Sequence, residues 1–195
     1  MKHYILILLA AFLVCGCAHA PTSLNNIPLA WTPTDTVAEA GAVDMTGMAD
    51  VKIQIAKFTD TRKNPALIAE NREKGVKPVT TRDDVAAYVT DHLRDSLQTA
   101  GLSVTDTAGT PVLSGEIDNF FVTEVSTYHA EITMHVTLRS AAGKTLWTGI
   151  VGGSSTTFGR SYSAPNYYKV LSNAVVNVAH NLLANPAFHD ALATK

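Results

Sequence analysis

Between Tyr128 and Arg139 the chain alternates without a break. Tyr128, Ala130, Ile132, Met134, Val136 and Leu138 are apolar, and His129, Glu131, Thr133, His135, Thr137 and Arg139 are polar. Successive side chains of a strand point to opposite sides, so this pattern describes a strand with one buried and one solvated face. A sheet built on it needs cover on one side only. That excludes a parallel sheet layered by helices on both faces and points to an antiparallel one.

Two amphipathic segments supply the cover. Val85, Val89, Leu93 and Leu97 recur every fourth residue, with Ala86 and Ala100 widening the stripe. Thr81 opens this helix with Asp84 three residues on, a variant of the capping box, and Gly101 stands where a left-handed C-cap belongs. The second helix has Pro165 just inside its start, a stripe of Val170, Leu171, Ala174, Val175, Val178, Ala179 and Leu182, and Asn185-Pro186 at its end; Phe188 to Leu192 adds one more turn. Further strands are expected from Val51 toward Asp60, over Leu102 to Val104, over Val112 to Val122, and over Thr145 to Val151 after a turn at Ser140 to Lys144. Gly152 to Ser163 reads as a loop or frayed strand. The stretch from Thr59 to Thr81, broken by Asn64-Pro65, Gly75 and Pro78, reads as a long loop with a short helix from Ala66 to Glu73. The fold class that follows is α+β: a two-layer domain of mostly antiparallel sheet with two amphipathic helices packed on one face.

The N-terminus has a different logic. Lys2 gives a positive start, Tyr4 to Val14 an apolar run, and Gly16 a small residue before Cys17. The run is shorter than the roughly 20 residues a spanning helix needs, so residues 1–16 read as a lipoprotein signal peptide with lipidation at Cys17. Cys15 follows bulky Val14 and is the weaker candidate; an ordinary secretory signal cut near Ala18 or Ala20 is the other alternative. Ala18, not being Asp, directs such a product to the outer membrane, facing the periplasm. The group expected is covalent, diacylglycerol plus an N-acyl chain on Cys17, and no cofactor or metal besides. Residues 17–48, with Pro21, Pro28 and Pro33, read as a lipidated start and flexible tether, in which Ile27 to Trp31 can dock as an edge segment. Residues 49–195 form the periplasmic domain. Cys15 and Cys17 are the only two cysteines, so the domain folds without a disulfide. A formal net charge of −2 offers no polybasic surface for nucleic acid.

Catalytic groupings are missing. His129 and His135 share a strand face but lie roughly 20 Å apart at ~3.3 Å per residue. His92, His180 and His189 lack an i,i+4 partner. No Gly-x-Ser-x-Gly elbow occurs, and Gly149 to Gly153 lacks the spacing and lysine of a phosphate loop. Glu116 and Asp118 fall on one strand face as solvated carboxylates. The pair that stands out is Asp60 and Arg62, two apart in extended chain and so pointing the same way, placed either to brace the following loop or to meet a partner.

The signal ending at Cys17, the strand ending in Asp60-Thr61-Arg62 before Ala66-Leu67, the following helix, and the closing Asn173-Ala174-Val175 helix with its Phe188-His189 tail resemble the YajG family of Gram-negative lipoproteins. More distantly, the chain resembles the auxiliary lipoproteins of envelope ABC transporters. The resemblance implies an outer-membrane lipoprotein of unassigned activity, and carries over only Cys17 as a functional residue. Together these readings predict a membrane-anchored binding or assembly domain with an envelope protein partner and no enzymatic activity. The rivals are an auxiliary subunit of an envelope lipid-transport system and an envelope hydrolase.

Overall fold

The structure, a computed structural model, describes residues 23–193 apart from 49 and 74. The signal segment, Cys15 and Cys17 lie outside the described residues.

The elements run α1 (Val37–Ala40), β1 (Lys52–Ile55), β2 (Thr59–Asp60), β3 (Leu67–Asn71), β4 (Lys77–Thr80), α2 (Val85–Thr99), β5 (Ser103–Val104), β6 (Val112–Glu124), β7 (Thr127–Arg139), β8 (Thr145–Phe158), α3 (Ala164–Leu183) and α4 (Pro186–Ala193). The fold is α+β, as expected. Strands β6, β7 and β8 form an antiparallel meander, with Val112↔Arg139 and Glu124↔Tyr128 at the ends of one pairing and Thr127↔Phe158 in the other. The other side of β6 is occupied in succession by three short parallel strands: β1 against Val112 and Leu113, β2 against Glu116 and Ile117, and β3 against Val122 to Glu124. β4 adds antiparallel to β3, and β5 parallel to β1.

The alternation over β7 has the expected outcome: Tyr128, Ala130, Ile132, Met134, Val136 and Leu138 are all buried. α2 and α3 cover that face. At Gly153 of β8 the backbone of α3 lies directly against the sheet, since a Cβ there would stand 2.2 Å from the Ala174 carbonyl oxygen and 2.6 Å from the Val178 nitrogen. The end of α2 is a Schellman motif: Gly101 N donates to Gln98 O at 2.9 Å and Leu102 N to Leu97 O at 3.0 Å, with Gly101 at φ +104°.

Four expectations need correction. The short helix from Ala66 to Glu73 is strand β3 instead, because Ile68, Ala69 and Asn71 bury their side chains and β6 offers an unpaired edge. The Leu67 carbonyl, which a helix would use internally, accepts from Arg62. The N-cap of α2 is Asp84, whose carboxylate accepts from Ala87 N at 3.0 Å; Thr81 is buried and receives Asp83 N in a local turn. β8 continues to Phe158 instead of fraying at Gly152.

The fourth correction concerns the tether. Over its described part the segment is a docked arm. Leu24, Ile27, Val37 and Met48 are core residues. Ile27 N donates to Thr80 O and Thr80 N to Leu24 O, extending the β4 edge. Further on, Thr32 N donates to Ser172 Oγ at 3.0 Å and Thr34 N to Asn173 Oδ1 at 2.8 Å, so the arm crosses α3 on polar side chains. A capping box between Thr36 and Glu39 then starts α1. Proline and small polar residues suit extended chain whether free or docked; the spaced apolar anchors decide for docking.

Candidate functional site: the open sheet face and its edge

The face of β6, β7 and β8 turned away from the helices is uncovered. On it stand His129, Glu131, Thr133, His135, Thr137 and Arg139 of β7, with Thr148, Ile150, Ser154 and Thr156 of β8 beside them. Side-chain bonds within and across the strands fix much of this surface. His135 Nδ1 meets Asp118 Oδ2 at 2.6 Å, His129 meets Thr156 Oγ1 at 2.7 Å and Glu131 at 3.2 Å, and the Thr137 and Thr148 hydroxyls lie 3.2 Å apart. A shallow trough at one end is lined by Lys57, Thr59, Glu116, His135, Thr137 and Arg139.

The titratable side chains of this face are held apart in local pairs. His129 and His135 are held locally, and Asp118 serves His135 instead of pairing with Glu116. No three His, Cys, Asp or Glu residues converge as metal ligands among the described residues. His92 sits elsewhere, its ring stacked on Trp31 of the arm at 4.1 Å and 7°. Burial lowers its pKa below the usual imidazole value, against the opposing pull of Asp95 and Asp91. His180 and His189 each keep a buried Nε2 without a hydrogen-bond partner.

Beside this face, β8 is an edge. Among the described residues it pairs with β7 alone. α3 closes part of that edge with side chains, Asn181 Nδ2 donating to Gly152 O at 2.8 Å and Asn177 Nδ2 to Ser154 O at 2.7 Å. Edge carbonyls satisfied this way cannot recruit a stray strand. Ile150 stands 65% exposed on the uncovered part.

Asp60 and Arg62 come together as a closed clamp. Arg62 Nε donates to Asp60 Oδ1 at 2.9 Å and Nη2 to Oδ2 at 2.7 Å, a bidentate pair. The remaining guanidinium donors reach the carbonyls of Pro65, Leu67 and Phe120, and the group lies over the Phe120 ring. With side-chain exposures of 7% and 15%, the pair has little surface to offer a ligand. It ties the end of β2 to the start of β3 and to β6 at Phe120.

A second buried carboxylate has no counterpart in any local sequence pattern. Glu124, fully buried at the end of β6, accepts from Tyr167 Oη at 2.5 Å and from Tyr162 N at 3.0 Å. Burial and the carboxylate raise the Tyr167 pKa far above the phenol range, so it remains a donor. Tyr162 adopts φ +45°, which aims its N–H at Glu124. A strand-end Glu and a helix-start Tyr 43 positions apart carry no shared pattern; only the fold joins them.

Residues 74–193 match a family model described as LptE, lipopolysaccharide-assembly. The chain belongs to the LptE lipopolysaccharide-assembly family. The match runs from the β3–β4 turn to α4 and so spans the open face, its edge and both covering helices, while Asp60 and Arg62 precede it. The resemblance to YajG therefore holds only at the coarser level of a Gram-negative envelope lipoprotein, since the family that matches is LptE. No curated protein matches the sequence. The fold is shared with protein XCC0632 from Xanthomonas campestris, of family DUF330, at 11% identity over 71% of this chain and 86% of that one, with a TM-score of 0.54. A putative lipoprotein from Caulobacter crescentus aligns at 14% identity over 65% of this chain and 92% of that one, with a TM-score of 0.44. No described helix is long and apolar enough to cross a membrane.

Proposed function

We propose that this LptE-family chain is an outer-membrane lipoprotein, acylated at Cys17 and facing the periplasm, that acts in lipopolysaccharide assembly by holding an envelope protein partner on the open face of β6, β7 and β8. The observation that carries the reading is the coincidence of the family match with that surface. Rigid, hydrogen-bonded and uncovered, the face suits a binding module. Its histidines are engaged in pairs with neighbours, which favours a role without catalysis. The alternative read from the sequence, an auxiliary subunit of a lipid-transport system, merges with this one, because lipopolysaccharide is itself a lipid cargo.

The test is depletion of the chain in cells with surface lipopolysaccharide as the readout, complemented by wild type, by Cys17→Ala and by the double variant His135→Glu, Ile150→Asp. Wild type is expected to restore surface lipopolysaccharide, and the double variant, stably folded, to fail and to lose its partner in detergent co-purification. Full complementation by the double variant would overturn the open face as the binding surface. A Cys17→Ala protein that is still acylated, by mass spectrometry of the membrane fraction, would overturn the anchor.

A further inference from the structure

One end of the sheet carries three of the four large apolar side chains that stand exposed among the described residues: Val76 at 68%, Val125 at 48% and Phe158 at 81%. The register brings them to one place. Asn71 pairs with Lys77 across the β3–β4 turn and with Glu124 on β6, and Thr127, just past the β6–β7 turn, pairs with Phe158. Val76, Val125 and Phe158 thus cap three neighbouring chain segments at one tip.

The arm starts at the same tip. Leu24 bridges Val79 in parallel, so the chain runs away from the tip as it leaves Leu24. Tyr162 pins this start, its hydroxyl accepting from Leu24 N and donating to Pro78 O, both at 3.0 Å. Six positions separate Cys17 from Ser23. At no more than ~3.6 Å per residue, a lipid on Cys17 holds the tip within roughly 20 Å of the bilayer. The turn at Ser140 to Lys144 lies a whole strand further off, about 40 Å away at ~3.3 Å per residue.

We propose that this tip rests in the periplasm-facing leaflet of the phospholipid bilayer, with Phe158, Val76 and Val125 in the boundary between headgroups and acyl chains. The inference rests on the anchor at Cys17 proposed above. Three apolar side chains on separate chain segments suit a fluid surface better than a shaped partner. Their individual hold is weak, but tethering makes the second contact intramolecular and so effective. Among the described residues the cations at the tip have partners: Arg72 is held by Glu70 at 2.8 Å, Arg160 by Glu73 at 3.5 Å, and Lys77 lies over the Tyr162 ring. Apolar contact leads, and salt weakens it little. The sheet then stands away from the membrane with its open face accessible to a partner from the side.

The test uses the full lipidated chain in vesicles of phosphatidylethanolamine and phosphatidylglycerol, with an environment-sensitive label at Phe158→Cys or, as a control at the far turn, at Ala142→Cys. Brominated phospholipid is expected to quench the label at position 158 several-fold more than the label at 142, at low and high salt alike. Protein that floats with the vesicles but shows equal quenching at the two positions overturns the inference, including the case in which a second protein copy covers the tip. Protein that does not float with the vesicles overturns the anchor reading, and the inference with it.

Discussion

Tyr167 Oη lies 2.5 Å from the buried carboxylate of Glu124, joining the first turns of α3 to the end of β6 within the interior of the domain. Tyr162 N is the second donor to that carboxylate. Removing one partner from a buried charged acceptor leaves a group that water cannot reach, which costs more than the bond itself. Tyr167→Phe is therefore expected to destabilise the domain by about 2–3 kcal/mol, the scale of a hydrogen bond to a charged group. Glu124→Gln keeps an acceptor for the phenol and costs less. Urea unfolding of the two variants and their double mutant measures the coupling; an additive double mutant would show that the bond carries no energy.

Arg62 satisfies five acceptors at once, two on Asp60 and three backbone carbonyls. Breaking a buried pair by removing one member costs about 3–5 kcal/mol, so Arg62→Ala is expected near that range. Arg62→Lys recovers only part, because an ammonium cannot reproduce the planar fork. Thermal unfolding ranks the variants, and trypsin cleavage near Lys63 and Arg72 reports the local release. Equal stability for Arg62→Lys and wild type would mean that the fork geometry is irrelevant.

These two charged centres mark what sequence reading reaches. Asp60 and Arg62 are two residues apart, and the strand period alone says that they face the same way. Glu124 and Tyr167 meet only because β6 and α3 pack, which no local period encodes. The β7 alternation and the two helical stripes were legible because each repeats a burial pattern along one element. Strand β3 was not, since Leu67 to Asn71 is too short for periodicity to tell helix from strand, and its partner on β6 is some fifty residues away. Of the arm, only the Ile27 to Trp31 segment is legible as a docking edge; the anchors Leu24 and Val37 are spaced by the surface that the arm crosses, not by a period of its own. The open face was legible as polar alternation, but its role as an uncovered surface required knowing on which side both helices lie.

Gly153 has room for no side chain. A Cβ there would overlap the Ala174 carbonyl and the Val178 amide, both backbone atoms of α3 that cannot turn aside. Gly153→Ala is expected to push α3 off the sheet and to cost about 1–3 kcal/mol, the range of overpacking. Gly152→Ala, whose Cβ would meet only the Ile132 carbonyl at 3.2 Å, is the milder control. Comparable melting temperatures for the two would contradict the close approach of α3.

His92 makes the docked arm sensitive to pH. Its ring is stacked on Trp31 and edge-on to Tyr88, and burial lowers its pKa in the folded state. An unfolded chain with an ordinary histidine then binds more protons than the folded one as pH falls below about 6.5. Stability from this group is accordingly complete above that value and is lost as pH drops toward the folded-state pKa. The loss falls first on the Trp31 contact, since the imidazolium seeks water that the indole excludes. Trp31 fluorescence is expected to rise in accessibility to iodide as pH falls below about 6.5, with Trp147, buried against Phe188, unchanged. His92→Gln, which cannot titrate, should abolish the pH dependence while leaving the fold intact; an unchanged iodide titration in that variant would assign the transition to another group.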